Sequence, residues 1–334
     1  MKKICVLAGD GIGPEVVGCA VDVLRSVTDQ LEFLPAPIGR ESFEMTGSYL
    51  PDSTLDLMTK CDSSLFGAVT SSEAPEYKSP VLTFRKALDL YANIRPVKSL
   101  VRLPHRPQID IVIIRENSEG MYTQNEVYDD EGVTTLRKVT KKASARIVKH
   151  AIDYARAEGR RKICCVHKSN VLRASDGLFV SIFKEVMAEH GHGLTAETAL
   201  VDSAALRLVT DPSSFDVIVT LNLYGDILSD VAAGVAGGLG FAPSANLGPK
   251  YSVFEPAHGS APDIAGKGIA NPTATILAGA MMLRHIGLPG QASVVERSLA
   301  ATYAAGHLTV DLGGRHGSRS FTDAVIERIS KTPK

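Results

Sequence analysis

The charged residues that could do chemistry in this chain collect directly behind its apolar runs. Arg95 follows "YANI", Arg115-Glu116-Asn117 follow "IDIVII", and His167-Lys168 follow "KICCV". Asp202 follows "ETALV", and Asp226 follows "FDVIVTLNLYG". In an open α/β sheet, ligands bind outside the carboxyl ends of the strands. These positions are therefore predicted to face one edge. Any one of them could be a solvated loop charge. Three cations and several carboxylates from five strand ends instead describe an anionic substrate, a polycarboxylate or phosphate, beside a metal. The metal argument rests on "YGDILSD". Asp226 and Asp230 stand four apart at the first turns of a helix, so their carboxylates share a face. With Asp202 they make a hard oxygen site for Mg²⁺ or Mn²⁺. The competing reading is that both aspartates simply favour a helix N-terminus. No His/Cys cluster with zinc spacing competes.

The elements that must position these residues are legible in the apolar patterning. "KKICVLA", "SSLFGAV", "IDIVIIREN", "RKICCVH" and "FDVIVTLN" are continuous apolar runs, as expected for strands buried on both faces. Amphipathic stretches such as 143–157 and 177–188 lie between them, and helices at about 273–286, 290–304 and 320–330 close the chain. The class is α/β with a largely parallel sheet. One segment breaks the alternation: 121–141 reads as two polar strands around an Asp-Asp-Glu-Gly turn, a protruding β-arm suited to pairing with a second subunit.

"LAGDGIGPEV", residues 7–16, resembles a dinucleotide fingerprint, but its glycines fall as G-x-G-x-G and Pro14 follows at once. The Rossmann pattern needs G-x-G-x-x-G, so this stretch alone supports a tight strand-to-helix turn equally well.

A chain of 334 residues makes one large or two medium domains, and 44% apolar with 22% charged residues is a globular balance. A net charge of −1 and the absence of Trp argue against nucleic acid and membrane partners. No run approaches the 18 apolar residues of a membrane span, and five cysteines without C-x-x-C spacing read as buried free thiols. The expected compartment is the cytoplasm.

Taken together, "GDGIGPE", "LYANIRP", "RENSEGMY", "HKSNVL", "NLYGDILSD", "GSAPDIAGKGIANP" and "DLGG" resemble the β-decarboxylating dehydrogenases. That group comprises the isocitrate, 3-isopropylmalate and homoisocitrate enzymes, and the likeness spans essentially the whole chain. It implies a two-domain fold sharing a large, mostly parallel sheet system. A large cofactor-binding domain would combine 1–98 with 245–334, and a small dimerisation domain would hold 99–244 with the arm. It implies a non-Rossmann NAD site formed by Thr70, Glu255, His258, Gly259, Ser260, Asp263, Ile264 and Asn271. Asp263 stands where NAD-using relatives carry an acid for the adenosine ribose. The metal, Mg²⁺ or Mn²⁺, would be held by Asp226, Asp230 and a partner subunit's copy of Asp202. Lys168, also from the partner, would accept the hydroxyl proton, and Tyr122 would supply the proton that completes the ketone. Ser79, Arg85, Arg95, Arg115 and Asn170 would bind a small di- or tricarboxylate. A homodimer with shared active sites, or a tetramer, follows from the same likeness.

The preferred acid is read from "YKSPVLTFRK". Isocitrate enzymes resemble S-x-N-x-x-x-R here, whereas this chain has Ser79 and Arg85 with Val81 in place of Asn. Ser79 and Thr83 would put hydroxyls on one face, and the stretch looks most like homoisocitrate dehydrogenases. Ser79 before Pro80 is also a natural helix cap. The resulting order is homoisocitrate (to 2-oxoadipate), then 3-isopropylmalate, then isocitrate. Two other classes stay open: a non-catalytic regulatory subunit, disfavoured because every catalytic position is filled, and a metal-dependent phosphate-binding protein, which leaves the Asp263 loop unexplained.

Overall fold

The computed structural model describes residues 1–72 and 77–332. They form two compact units, one of 1–88, 100–102 and 237–334, the other of 89–99 and 103–236. The chain enters the first unit through β1 (Lys2–Gly9), α1 (Gly13–Val27), β2 (Leu31–Pro35), α2 (Arg40–Thr46), α3 (Asp52–Lys60), β3 (Ser63–Ala68) and α4 (Pro80–Ala87). The second unit holds β4 (Ala92–Lys98), β5 (Asp110–Glu116), β6 (Glu126–Asp129), β7 (Gly132–Thr135), α5 (Lys141–Ala157) and β8 (Lys162–His167). It continues through α6 (Ser175–His190), β9 (Thr195–Leu200), α7 (Val201–Thr210), β10 (Val217–Thr220) and α8 (Asn222–Ala236). The chain then returns to the first unit for β11 (Pro243–Leu247), β12 (Ser252–Pro256), α9 (Thr273–His285), α10 (Pro289–Ala304) and α11 (Ser318–Lys331).

In the first unit the strands lie in the order β2-β1-β3-β12-β11, all parallel except the β11–β12 pair. In the second the order is β4-β5-β10-β8-β9, parallel except for β4–β5. Strands β1, β3, β5, β8 and β10 are the continuous apolar runs of the sequence, whereas the parallel edge strands β2 and β9 are only partly buried. Ile111, Ile113, Cys164, Val166 and Ile218 of the second sheet pack with Leu228 and Ala232 of α8. Strand β4 belongs to the second unit because it pairs with β5 along its whole length, Ala92 opposite Glu116 through Lys98 opposite Asp110. The unit boundary therefore falls at 88/89 and not at 98/99 as the sequence suggested. Residues 126–135 form the hairpin of the arm, β6 antiparallel to β7, with Asp129 accepting from the Glu131 and Gly132 amides across the turn.

The glycine-rich turn is a packing device. Gly11 adopts φ +60°, and a Cβ there would lie 2.0 Å from the Ser260 carbonyl oxygen. Ile12 N–H donates to that same carbonyl at 2.8 Å. Asp10 accepts from the Arg40 amide at 2.7 Å and the Thr70 amide at 2.8 Å. Glu15, in the first turn of α1, accepts from the Ala270 amide at 3.0 Å. The turn thus holds both ends of the 255–271 loop.

All five cysteines are free. Burial pushes the Cys5 thiol up to about 12 and Cys164 up to about 11, so neither forms thiolate readily.

Gly11→Ala is expected to lower unfolding stability by about 2 kcal/mol or more, the left-handed conformation alone costing about 1–2 kcal/mol. Urea denaturation reads this as a lower midpoint at unchanged slope; an unshifted midpoint would mean the turn is not strained.

Candidate active site

Within the second unit, β4, β5 and α8 build one polar cluster. Asn93 and Arg95 are two apart on β4 and so share a face, and Asn93 lies directly opposite Arg115 of β5. Both arginines are buried, Arg115 to 1% exposure. Each is therefore compensated in detail, as a buried cation must be. Arg115 donates from Nε and Nη2 to Asn222 Oδ1 at 2.9 and 2.7 Å, and from Nη1 to Asp226 Oδ1. Arg95 donates to Asn93 Oδ1 at 2.8 Å and Ser229 Oγ at 2.6 Å, and lies 3.2 Å from Asp226 and 3.6 Å from Asp230. Asn222, Gly225 and Asp226 occupy one helical face at i, i+3 and i+4. A Cβ on Gly225 would sit 2.7 Å from Cβ and Cγ of Arg115, so the glycine is what lets the arginine stem lie against α8.

Tyr122, on a single 3₁₀ turn at Met121–Thr123, donates its hydroxyl to Asp226 Oδ2 and stacks under Arg115 at 4.9 Å. Burial, then the Asp226 carboxylate, raises its pKa and keeps the phenol protonated. Burial likewise raises the Asp230 carboxyl; Arg95 opposes the shift and the Asp226 charge adds to it.

Four positions correct the strand-end reading. Arg95 lies in the middle of an antiparallel strand and reaches the cluster by the strand's period of two. Asp226 is in the second turn of α8, because the helix begins at Asn222, so a helix N-terminus does not account for it. Glu116 turns away from the edge and accepts from the Ser118 and Glu119 amides at 2.9 and 3.1 Å, while Asn117 donates to the Leu90 carbonyl at 3.2 Å. Both shape the "RENSEG" turn that delivers Tyr122. Sequence reasoning missed Asn93, Asn222 and Ser229. The available signal was a polar residue inside an apolar run, which must find a partner when buried.

Lys168 and Asp202 form a separate pair at 2.7 Å, with Asp202 62% exposed in the first turn of α7. Asn170 is exposed in the turn after β8. Among the described residues, no group of three His, Cys, Asp or Glu could hold a metal, since Asp202 stands apart from Asp226 and Asp230.

In the first unit, Arg85 donates to Glu255 Oε1 at 2.8 Å, as does Asn246, and the Arg85 Nε–H is buried without a partner. Ser79 caps α4 by accepting from the Leu82 amide at 3.3 Å. Thr70 donates to Ser260 Oγ at 2.8 Å. Ile264 packs on Ile12, Val16 and Ala270, whereas Asp263 and Gly259 are exposed. The Asn271 amide is taken up internally, donating to Asp311 at 3.0 Å and accepting from the Thr273 amide at 3.0 Å.

Residues 3–329 match the family described as isocitrate/isopropylmalate dehydrogenase. The chain belongs to that family. It is an oxidoreductase, a β-decarboxylating dehydrogenase of an NAD(P)- and divalent-metal-dependent family with an α/β fold. The 3-isopropylmalate/3-methylmalate dehydrogenase of Methanocaldococcus jannaschii is 46% identical, covering 98% of this chain and 99% of its own length. The homoisocitrate dehydrogenase of the same organism is 41% identical, covering 100% and 99%. The isocitrate/homoisocitrate dehydrogenase of Thermus thermophilus is 46% identical, covering 98% of each. Among solved structures, isocitrate dehydrogenase from Methylococcus capsulatus superposes with a TM-score of 0.95 at 41% identity, over 98% of this chain and 99% of that one.

The dehydrogenase's own atoms suit both groups that its family uses. His258 Nδ1 faces the Gly259 carbonyl at 2.9 Å and must carry the proton, leaving Nε2 a buried acceptor without a partner. Burial lowers its pKa and keeps that lone pair available. An adenine amino group is a donor of the required kind. Asp226 and Asp230 together balance Arg95 and Arg115. A divalent cation on their oxygens would bring the cluster to +2, the charge a dicarboxylate cancels. No helix among the described residues is long and apolar enough to cross a membrane.

His167, buried at the end of β8, accepts from the Ser169 amide through Nδ1 at 3.1 Å, and burial lowers its pKa. The folded chain holds it neutral, while the unfolded chain takes up a proton below about pH 6.5. Its contribution is thus complete above that pH and is lost as pH falls further. The thermal midpoint is expected to decline below about pH 6.5, and His167→Asn, which keeps an acceptor and removes the titration, should flatten the decline. An equally steep decline in that variant would exclude His167 as its source.

Proposed function

We propose that this enzyme uses NAD⁺ and Mg²⁺ or Mn²⁺ to oxidise and decarboxylate a 3-substituted malate, with 3-isopropylmalate the preferred substrate. This reverses the order expected from the sequence. The observation that carries it is on α4. Thr83 donates its one hydroxyl proton to the Ser79 carbonyl at 2.9 Å, and the Ser79 hydroxyl accepts from Leu82 N–H. The two hydroxyls read as a polar pocket are spent on the helix backbone, and only Ser79 keeps a proton to donate. Val81 and Leu82 stand half-buried beside them, a surface for an isopropyl group and a poor one for a terminal carboxylate. Of the two Methanocaldococcus enzymes, the one named for 3-isopropylmalate is the more similar, at 46% against 41%, while the Thermus isocitrate/homoisocitrate enzyme is also 46% identical.

The bound groups supply a hydride acceptor and charge stabilisation at the oxygen that becomes a carbonyl. The chain's residues do the rest. Arg95 and Arg115, fixed by Asn93, Asn222 and Ser229, present planar forks to the substrate carboxylates. Lys168 takes the hydroxyl proton. Tyr122, held protonated, delivers a proton to the carbon left when CO₂ departs. Asp263, exposed at the loop, accepts from two ribose hydroxyls and repels a 2′-phosphate, which selects NAD⁺.

The active form is a homodimer in which Lys168 and Asp202 serve the partner's site. Asp202, Leu206 and Val209 line one face of α7, with Leu206 65% and Val209 53% exposed. Leu223 and Ile227, one turn apart on α8, are exposed beside Asp226 and Asp230. Apolar stripes that lead to the charged residues of the site suit a second copy of the chain.

Parallel assays of NADH formation from 3-isopropylmalate, homoisocitrate and isocitrate test the substrate. The expected result is a kcat/KM at least about tenfold higher for 3-isopropylmalate, the low end of discrimination in an apolar pocket. A preference for homoisocitrate would restore the Ser79 hydroxyl as the selecting group. Site sharing is tested by co-refolding Lys168→Met with Tyr122→Phe, each keeping only residual activity alone. Shared sites should regain roughly a quarter of wild-type activity, since half the dimers are mixed and one of their two sites is intact. Unshared sites would regain none.

A further inference from the structure

Outside the arginine cluster, the second unit contains one carboxylate with no exposure at all. Asp176, in the first turn of α6, is 0% accessible. It meets groups from three other segments. Its Oδ2 accepts the backbone N–H of Lys168 at 2.6 Å and the Tyr224 hydroxyl at 3.1 Å. Its Oδ1 accepts from Arg137 Nη1 at 2.5 Å, and that nitrogen also donates to Ser175 Oγ at 3.0 Å. The Arg137 guanidinium lies over the Tyr224 ring at 5.3 Å, which closes the group.

The three partners come from three separate stretches of the unit. Arg137 follows β7 at the base of the arm, Tyr224 is two residues before Asp226 on α8, and Lys168 begins the turn after β8. A fully buried carboxylate persists only where its partners are fixed, so Asp176 holds these segments in one register. We propose that Asp176, with Arg137 and Tyr224, is a positioning residue that sets the backbone at Lys168 and thereby the reach of its ammonium group. The proposal rests on the proton-accepting role given to Lys168 above. Lys168 sits on a turn, and its ammonium pairs with Asp202 at 2.7 Å. Its one strong constraint N-terminal to the side chain is the 2.6 Å bond from its own amide, while its carbonyl accepts from the Val171 and Leu172 amides at 3.0 and 2.9 Å. Placement errors of about 1 Å in a reacting group cost on the order of 10²-fold in rate.

A double-mutant cycle on the full-length enzyme provides the test, with Lys168→Met and Asp176→Asn measured singly and together. Asp176→Asn should lower kcat on the order of 10²-fold while the KM values for substrate and NAD⁺ stay within about threefold. In the Lys168→Met background the same change should cost less than about threefold, because nothing remains to be positioned. Equal losses in both backgrounds would overturn the proposal and assign Asp176 to general stability. Should Asp176→Asn fail to fold, Tyr224→Phe removes one hydroxyl without changing charge and takes its place in the cycle. There a loss of about 3–10-fold confined to the Lys168 background is expected, and no loss would overturn the proposal. If Lys168→Met itself retains wild-type kcat, the base assignment fails, an outcome separate from a full-strength Lys168 effect with an additive cycle.

Discussion

Two guanidinium groups are buried against one helix, and the second unit is arranged around them. A cation out of water costs several kcal/mol unless its geometry and hydrogen bonds are nearly complete. Arg115 at 1% exposure and Arg95 at 7% thus demand acceptors at fixed positions. Asn93, Asn222, Asp226 and Ser229 supply them, and Gly225 gives the room. The antiparallel β4–β5 register sets Asn93 opposite Arg115. The outcome is a rigid, charge-balanced cluster whose guanidinium groups are already fixed, the condition under which electrostatic stabilisation is most effective.

The same constraint orders the chemistry. Asp226 meets both arginines and accepts the Tyr122 hydroxyl, so one carboxylate joins the cationic groups to the phenol. The balance of two acids against two arginines leaves room for a divalent cation only together with an anionic ligand. In the proposed reaction, metal and substrate binding would therefore be coupled by charge rather than by shape.

The first unit solves a different problem, holding an irregular loop against a sheet. Its 255–271 segment has little regular hydrogen bonding of its own and takes partners from the Gly-rich turn. Ile12 bonds to the Ser260 carbonyl, Thr70 to the Ser260 hydroxyl, and Glu15 to the Ala270 amide. A motif that looks like a phosphate cradle is thus a clamp for another loop.

Much of this was present in the sequence. Continuous apolar runs defined β1, β3, β5, β8 and β10, since such runs have no solvated face to hide. The three long helices near the C-terminus followed from periodicity, and i, i+4 spacing put Asp226 and Asp230 on one face of α8. Quoted in order, the motifs were also specific enough to imply the family. Tertiary structure alone decided which polar residues point inward. Glu116 and Asp226 both follow apolar runs, yet one closes a turn and the other meets two arginines. Arg95 joined the cluster through the register of an antiparallel pair that nothing local to it specifies. The Thr83 hydroxyl looked available until its bond to the Ser79 carbonyl was seen. Local sequence sets conformation and periodicity, whereas the partner of a buried polar group is set by strands and helices distant in the chain.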